Sequence, residues 1–454
     1  MRLLLGASGA ARRCFSTTSR QNYDVVIAGG GVMGTSIAYH LALASPSMRI
    51  AVVEHDPSGT HASAPRSAGG IRQQFSLESN IALSLYGVEF LRRAHIDLQV
   101  PGEQAPDLQF KENGYLFLAS EHGEDTLRSN HATQCAAGAS TILLGPAALA
   151  ARFPWLDVDG IALGCLGERG EGWFDPWALV SAIRHKARHM GVDFIHGSVT
   201  DFECSPMTED GAASGARVHI DAVTVQEASV DGAERVRVIG CRHVVNAAGA
   251  WSNRLVALCG SDVAPLPVAA RKRCIFSFRA ASLPVGADAG SASRPVMPGQ
   301  TTPLVVDPSG VYFRPEGAPG HFLCGVSPPE SRGDPDCADN SALDEIDHAL
   351  FDEIIWPTLY GRCQAFGALK VQGAWSGFYE FNTLDQNSVI GKHPHVPNLV
   401  LCNGFSGHGL QQAPGAGRAV AELLTTGTYE TIDVSCFGFE RVLLGEPLYE
   451  QNIV

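Results

Sequence analysis

Gly29, Gly31 and Gly34 form a G-x-G-x-x-G arrangement directly after the apolar run Tyr23–Ala28 and before a helix-period stretch from Thr35 to Leu43. At that spacing the first glycine permits a tight turn, the second lets backbone approach a pyrophosphate, and the third packs helix on strand. Val32 and Met33, between the last two glycines, lie at the phosphate-facing end of the helix. Glu54, 20 residues beyond Gly34, ends a second apolar run, Ile50–Glu54. A carboxylate there accepts hydrogen bonds from ribose hydroxyls and repels a 2′-phosphate. The expected ligand is FAD or NAD rather than NADP.

Two distant segments bear on that choice, because FAD is long and its ring needs contacts that one strand–helix–strand unit cannot reach. Val244–Ala248 leads into Gly249, Ala250 and Trp251, putting small residues at a strand end where a cofactor passes. Leu399–Cys402 runs into Gly404, Phe405, Ser406, Gly407, His408, Gly409 and Leu410, and a helix is predicted over Gln411–Thr425. The N-terminus of that helix suits the negative charge that collects near N1 and O2 of a reduced flavin. Val199, closing the predicted strand Asp193–Val199, joins the expected cofactor contacts.

Positioning these turns requires parallel strands joined by crossover helices, so the chain is expected to begin as a doubly wound α/β sheet. A helix over Pro176–Met190 and strands over Arg217–Val225 and Glu234–Ile239 continue the pattern, with Ser205–Ala216 as an exposed hairpin or insertion. Ala280–Thr302 and Pro328–Leu343 are dense in Gly, Pro, Ser or acids, as lids or binding loops are.

Composition narrows the function classes. The 454 residues are 45% hydrophobic and 18% charged with a net charge of −14, which fits a globular enzyme and offers no footprint for nucleic acid. No stretch supplies the roughly 18 apolar residues of a membrane span, so any contact with a membrane would be peripheral. The twelve cysteines lack a C-x-x-C pair and read as free thiols. His393 and His395 have no third ligand nearby, so no metal is expected. Gly404–His408 misses the last glycine of a nucleophile elbow, which argues against a hydrolase. Residues 1–21 contain Arg2, Arg12, Arg13 and Arg20 and no acid, the composition of a mitochondrial presequence with a cut after Phe15. The expected location is the mitochondrial matrix, in places peripheral to the inner membrane.

The strings GGIRQQFSLESNIALSL (69–85), EGWFDPW (171–177), NAAGAWS (246–252) and NGFSGHGLQQAPG (403–415) carry a stronger signal. Through them the chain resembles the D-amino-acid oxidase and sarcosine oxidase/dehydrogenase superfamily over nearly all its length after residue 21. The resemblance implies a Rossmann-like FAD-binding domain of the GR2 type, built from residues 22–95, 160–262 and 370–430. An inserted antiparallel-sheet substrate domain takes 96–159 and 263–369, and 431–454 forms a tail. It implies oxidation of an amine or N-methyl amino acid at its C–N bond. Arg72 is expected to grip the substrate carboxylate, with Tyr379, Trp375 and His408 lining the cavity and Gly69 and Gly70 against the cofactor.

Departures from the family pattern sharpen these expectations. Gln411 stands where relatives carry a lysine, and Ser67 stands where dehydrogenase relatives attach flavin through histidine. No cysteine occupies Trp375–Phe381, so FAD is expected to be non-covalent. Phe322–Gly325 lacks the lysine that speeds reaction with oxygen in oxidases, which favours a dehydrogenase. The narrower likeness is to a mitochondrial branch tied to respiratory complex I assembly. It implies complex I subunits or assembly intermediates as partners and, as an alternative function, a catalytically reduced flavoprotein that assists assembly.

Overall fold

The strand β1 (Gln21–Ala28), helix α1 (Val32–Ala44) and strand β2 (Ile50–Glu54) form the expected parallel unit, with Val25 opposite Ile50 and Ala28 opposite Val53. They belong to a computed structural model that describes residues 21–207, 217–228, 235–280 and 295–451. On the other side of β1 runs Arg235–Asn246, parallel, with Ala28 opposite Asn246. Val396–Asn403 continues the parallel sheet, Val389–His393 closes that edge antiparallel, and Asp193–Met207 extends the sheet beyond β2. The ends of β1, Arg235–Asn246 and Val396–Asn403 therefore lie side by side, each followed by a glycine turn. This is where ligands bind in open α/β sheets.

Four helices, α1, Glu78–Asp97, Pro176–His189 and Gly409–Thr425, bury one face of this sheet around Ile27, Ile37, Leu83 and Val400. Asp175 caps Pro176–His189 by accepting the Ala178 N–H at 3.0 Å, with Pro176 at the first helical position. Ser36 in α1 donates to the Ala413 carbonyl at 2.7 Å, pinning α1 to the Gly409–Thr425 helix.

A second sheet of eight strands stands over the strand ends, in the spatial order Leu369–Asn382, Val268–Ala280, His321–Gly325, Tyr312–Pro315, Leu304–Val306, Tyr115–Ala119, Leu163–Arg169 and Ser140–Leu144. It is antiparallel except where Leu304–Val306 runs parallel to Tyr115–Ala119. Phe276, Phe278, Phe322 and Phe366 fill its core.

Several expectations change. Glu234–Ile239 and Val244–Ala248 are one strand, Arg235–Asn246, because Gly240–His243 continues the backbone while the strand changes from an antiparallel to a parallel partner. The polar residues there imitate a link. The strand Asp193–Val199 continues to Met207 and pairs antiparallel with Arg217–Glu227; the rest of the expected hairpin, 208–216, lies outside the described residues. Leu163–Arg169 and Leu369–Asn382, which fall almost wholly in stretches expected in the FAD-binding domain, pair within the second sheet. Within the expected tail, the described residues 431–451 pack against the domain, with Phe437 and Phe439 fully buried. The presequence reading lies outside the described residues except Gln21, which opens β1. Of the two tracts dense in Gly, Pro, Ser or acids, 281–294 lies outside the described residues, whereas Pro328–Leu343 folds against the cavity described next. Among the described residues all cysteines are free and no helix is long and apolar enough to cross a membrane.

Candidate active site and cofactor cleft

Gly29 takes φ +107°, and a β-carbon on it would lie 2.3 Å from the Ala247 carbonyl oxygen; one on Gly34 would lie 1.8 Å from the Gly29 carbonyl oxygen. Both contacts exclude any side chain. Gly31 differs, because a β-carbon there meets nothing within 4 Å, and it caps α1, whose first turn carries no acid. Open space beside exposed helix N–H groups fits a pyrophosphate. Val32 and Met33 are buried at the start of α1, and the Met33 methyl reaches the Gly409 turn.

The Glu54 carboxylate accepts the N–H groups of Gly30 and Asp56, each at 2.6 Å. Each oxygen keeps a further acceptor site, so the geometry is compatible with ribose hydroxyls. Arg184, absent from the sequence reading, donates to the carbonyls of Pro57 at 2.6 Å and Gly30 at 3.2 Å and fixes this corner. Val199 pairs with Val225 and packs on the sheet face with Phe202 and Val223. Asn246 accepts the Ala248 N–H at 3.2 Å and positions the Gly249 turn. Trp251 packs edge-on against Phe378 at 5.3 Å with Arg254 over its face. It buttresses the cap.

Where the two sheets meet, a cavity of about 540 Å³ opens. Gly69, Gly70, Arg72, Tyr379, His408 and Gln411 line it, with Ser406, Gly407, Gly409 and Leu410 along the second glycine turn. Gly404 and Gly407 have positive φ, and Ser406 between them takes φ +44°, an unusual conformation for serine. Its hydroxyl accepts the Asn382 N–H at 3.0 Å, tying the turn to the cap strand. Trp375 is not in the wall; its indole N–H donates to the Arg66 carbonyl at 2.8 Å.

Arg72 is held on three sides. Its N–H donates to Gln411 Oε1 at 2.6 Å, its guanidinium donates to the Gln74 carbonyl, and Nη2 meets His408 Nε2 at 3.1 Å. The guanidinium also lies 4.0 Å from the Phe75 ring centre. Because arginine only donates, His408 Nε2 accepts and its proton sits on Nδ1. Enclosure and the neighbouring Arg72 push the His408 pKa down to about 3, so it is a neutral positioning group and not an acid. Gln411 spends its amide oxygen on Arg72, while the residue also lines the cavity.

Sequence reasoning missed several groups. Glu171 is buried and accepts the Gln73 N–H and the Gln74 amide, both at 2.7 Å, which braces the segment carrying Arg72. Its burial raises the carboxyl pKa to about 7. Arg273 lines the wall but is bidentate to Asp334 at 2.7 and 2.8 Å, so the Pro328–Leu343 loop is latched to the cavity. Tyr115, Tyr312 and Tyr379 are all raised by burial and remain protonated phenols. Glu171 lies inside the EGWFDPW string, but nothing local marks it as Arg72's support.

With Arg72 unpaired by any carboxylate among the described residues, the cavity suits an anionic group attached to a compact body.

Residues 24–423 match the family model described as FAD dependent oxidoreductase (DAO). FAD-dependent oxidoreductase domain-containing protein 1 of Xenopus laevis is 43% identical over 95% of this chain and 85% of its own length. The Bos taurus protein of that name is 42% identical over 95% and 87%. Among solved structures, an L-proline dehydrogenase from P. horikoshii superposes with TM-score 0.74 at 23% identity, covering 94% of this chain and all of its own. A glycine oxidase from Geobacillus kaustophilus gives TM-score 0.69 at 21% identity over 92% and 98%. The expected fold is thereby borne out, and FAD is the cofactor that the open Gly31 turn and the flanking glycine turns accommodate. The chain belongs to the DAO family of FAD-dependent oxidoreductases.

Proposed function

We propose that this protein oxidises the C–N bond of an amine or N-methyl amino acid whose carboxylate is held by Arg72, with FAD bound non-covalently. The observation that carries the reading is Arg72 itself: a guanidinium facing the cavity, oriented by Gln411, His408 and the Gln74 carbonyl, with no carboxylate partner among the described residues. FAD, when bound, supplies the acceptor for the hydride leaving the carbon beside the nitrogen. Arg72 orients the substrate, and the protonated phenols of Tyr115 and Tyr379 close the cavity around it. Neutral His408 takes no proton, so it does not act as the base. The cations lining the cavity are the arginines 66, 72, 271 and 273, with no lysine among them, which supports electron delivery to an acceptor other than oxygen. The arginine-rich residues before Gln21 support a matrix location.

The test is anaerobic mixing of purified protein with N-methyl and D-amino acids while the oxidised flavin absorbance is followed. Bleaching by one compound, lost in Arg72→Ala at unchanged FAD content, is expected; a dithionite-reducible flavin that no compound bleaches overturns the reading.

A second reading is favoured by Gln411, which stands at the family's lysine position and serves Arg72's backbone. In it the flavoprotein assists assembly of respiratory complex I without turnover. It requires complex I assembly to survive Arg72→Ala and to fail in Gly31→Glu, which fills the phosphate space.

A further inference from the structure

The cap strand Leu369–Asn382 places a carboxylate next to Tyr379 for which the active-site reading has no use. Glu380 lines the cavity, and its Oε2 accepts the Gly404 N–H at 3.2 Å. A β-carbon on Gly249 would lie 3.9 Å from Oε2, and one on Gly409 would lie 3.2 Å from both Oε1 and the Met33 methyl. One side chain thus bonds the turn after Val396–Asn403 and faces the turn after Arg235–Asn246, beside the glycine that Met33 of α1 also approaches. Among the described residues no basic side chain pairs with it, and burial raises its pKa to about 7. An enclosed carboxylate without a cation is costly unless hydrogen-bond donors reach it.

The backbone N–H groups of Gly404 and Phe405 reach it, a carboxylate has acceptor sites beyond those two, and the arrangement of the cleft indicates which further donors fill them. The open space at Gly31 suits the pyrophosphate, and the cavity beside Arg72 and Tyr379 suits the flavin ring and substrate. Between these two regions FAD has only its sugar-alcohol chain, which carries three secondary hydroxyls. Building on the assignment of FAD, we propose that Glu380 accepts hydrogen bonds from that polyol chain and so determines FAD affinity.

The test uses full-length protein stripped of flavin and titrated separately with FAD and with ADP, which carries the pyrophosphate but neither polyol nor ring. Glu380→Gln keeps an acceptor for the Gly404 N–H and removes the charge. The expected result is FAD binding weakened about tenfold with ADP binding unchanged, the size of one charge-assisted hydrogen bond. The midpoint potential of the bound flavin is expected to stay the same, since the contact is to the chain and not to the ring. Unchanged FAD affinity overturns the proposal. Equal weakening of FAD and ADP also overturns it, by showing a general loss of the cleft, and a shifted potential at unchanged affinity overturns it in favour of a ring contact. If Glu380→Gln does not fold, Glu380→Asp, which withdraws the charge by one methylene, must show the same selective loss. Wild-type apoprotein that takes up no FAD overturns the cofactor assignment together with this inference.

Discussion

Arg72 shows how much a single residue's role depends on its supports. Lysine in its place is a point charge that cannot fork across a carboxylate. Arg72→Lys is therefore expected to lower kcat/KM roughly a hundredfold, the worth of two charge-assisted hydrogen bonds, at normal FAD content. Steady-state kinetics beside a flavin absorbance ratio checks it. His40 makes a separate prediction. It is buried between Tyr39, Tyr86 and Phe90, and burial and then Arg418 push its pKa down to about 3, against an opposing effect of Glu422. The unfolded chain, with a histidine near 6.5, takes up protons that the folded one refuses, so stability falls as pH drops from about 6.5 toward 3. The slope is at most about 1.4 kcal/mol per pH unit. Urea midpoints at pH 7 and pH 5 should diverge less in His40→Phe than in the wild type.

At the scale of elements, the dinucleotide turn separates packing from ligand binding. Gly34 lies against backbone, so Gly34→Ala forces α1 away from β1, and a markedly lowered Tm or insoluble protein is expected. Gly31 faces open space with φ −69°, which alanine adopts without strain. Gly31→Ala should leave the Tm of the apoprotein within about one degree while weakening FAD, because its methyl occupies the phosphate space. Calorimetry of apo and FAD-loaded samples distinguishes the two. The turn and both flanking strands are legible from sequence, since each depends on residues within a few positions of one another. Arg235–Asn246 is not, because a strand that exchanges partners carries two burial patterns joined by polar residues.

Across the whole molecule, the last described segment ties the two halves of the FAD-binding domain together. Asp385 and Arg441 form an ion pair at 3.0 Å that is almost fully buried, and Asp385 also accepts the Leu448 N–H at 2.9 Å. Glu450 accepts the Ser76 N–H at 2.6 Å and the Asn80 amide at 2.6 Å. Asp385→Ala strands a buried guanidinium and is expected to cost about 3–5 kcal/mol, whereas Asp385→Leu with Arg441→Met recovers most of the loss. Chemical denaturation of the single and double variants measures both. An equal loss in the two would show that the backbone contacts of Asp385, not the charge pair, hold the segment.

Features encoded at short range along the chain are legible without the fold. The G-x-G-x-x-G turn with Glu54, the strand–turn–helix at Gly404 and the motif strings of the family were readable because their chemistry depends on neighbours along the chain. Tertiary structure decided the rest. Only packing shows that Gln411 and His408 serve Arg72 across more than 330 residues, that Asp334 latches Arg273, and that Val199 pairs with Val225. The assignment of Leu163–Arg169 and Leu369–Asn382 to the cap sheet is of the same kind, since strand periodicity reports that a face is buried but not what buries it. The protonation of His408, Glu171 and Glu380 is likewise set by how far water is excluded from each group, a property no stretch of sequence contains.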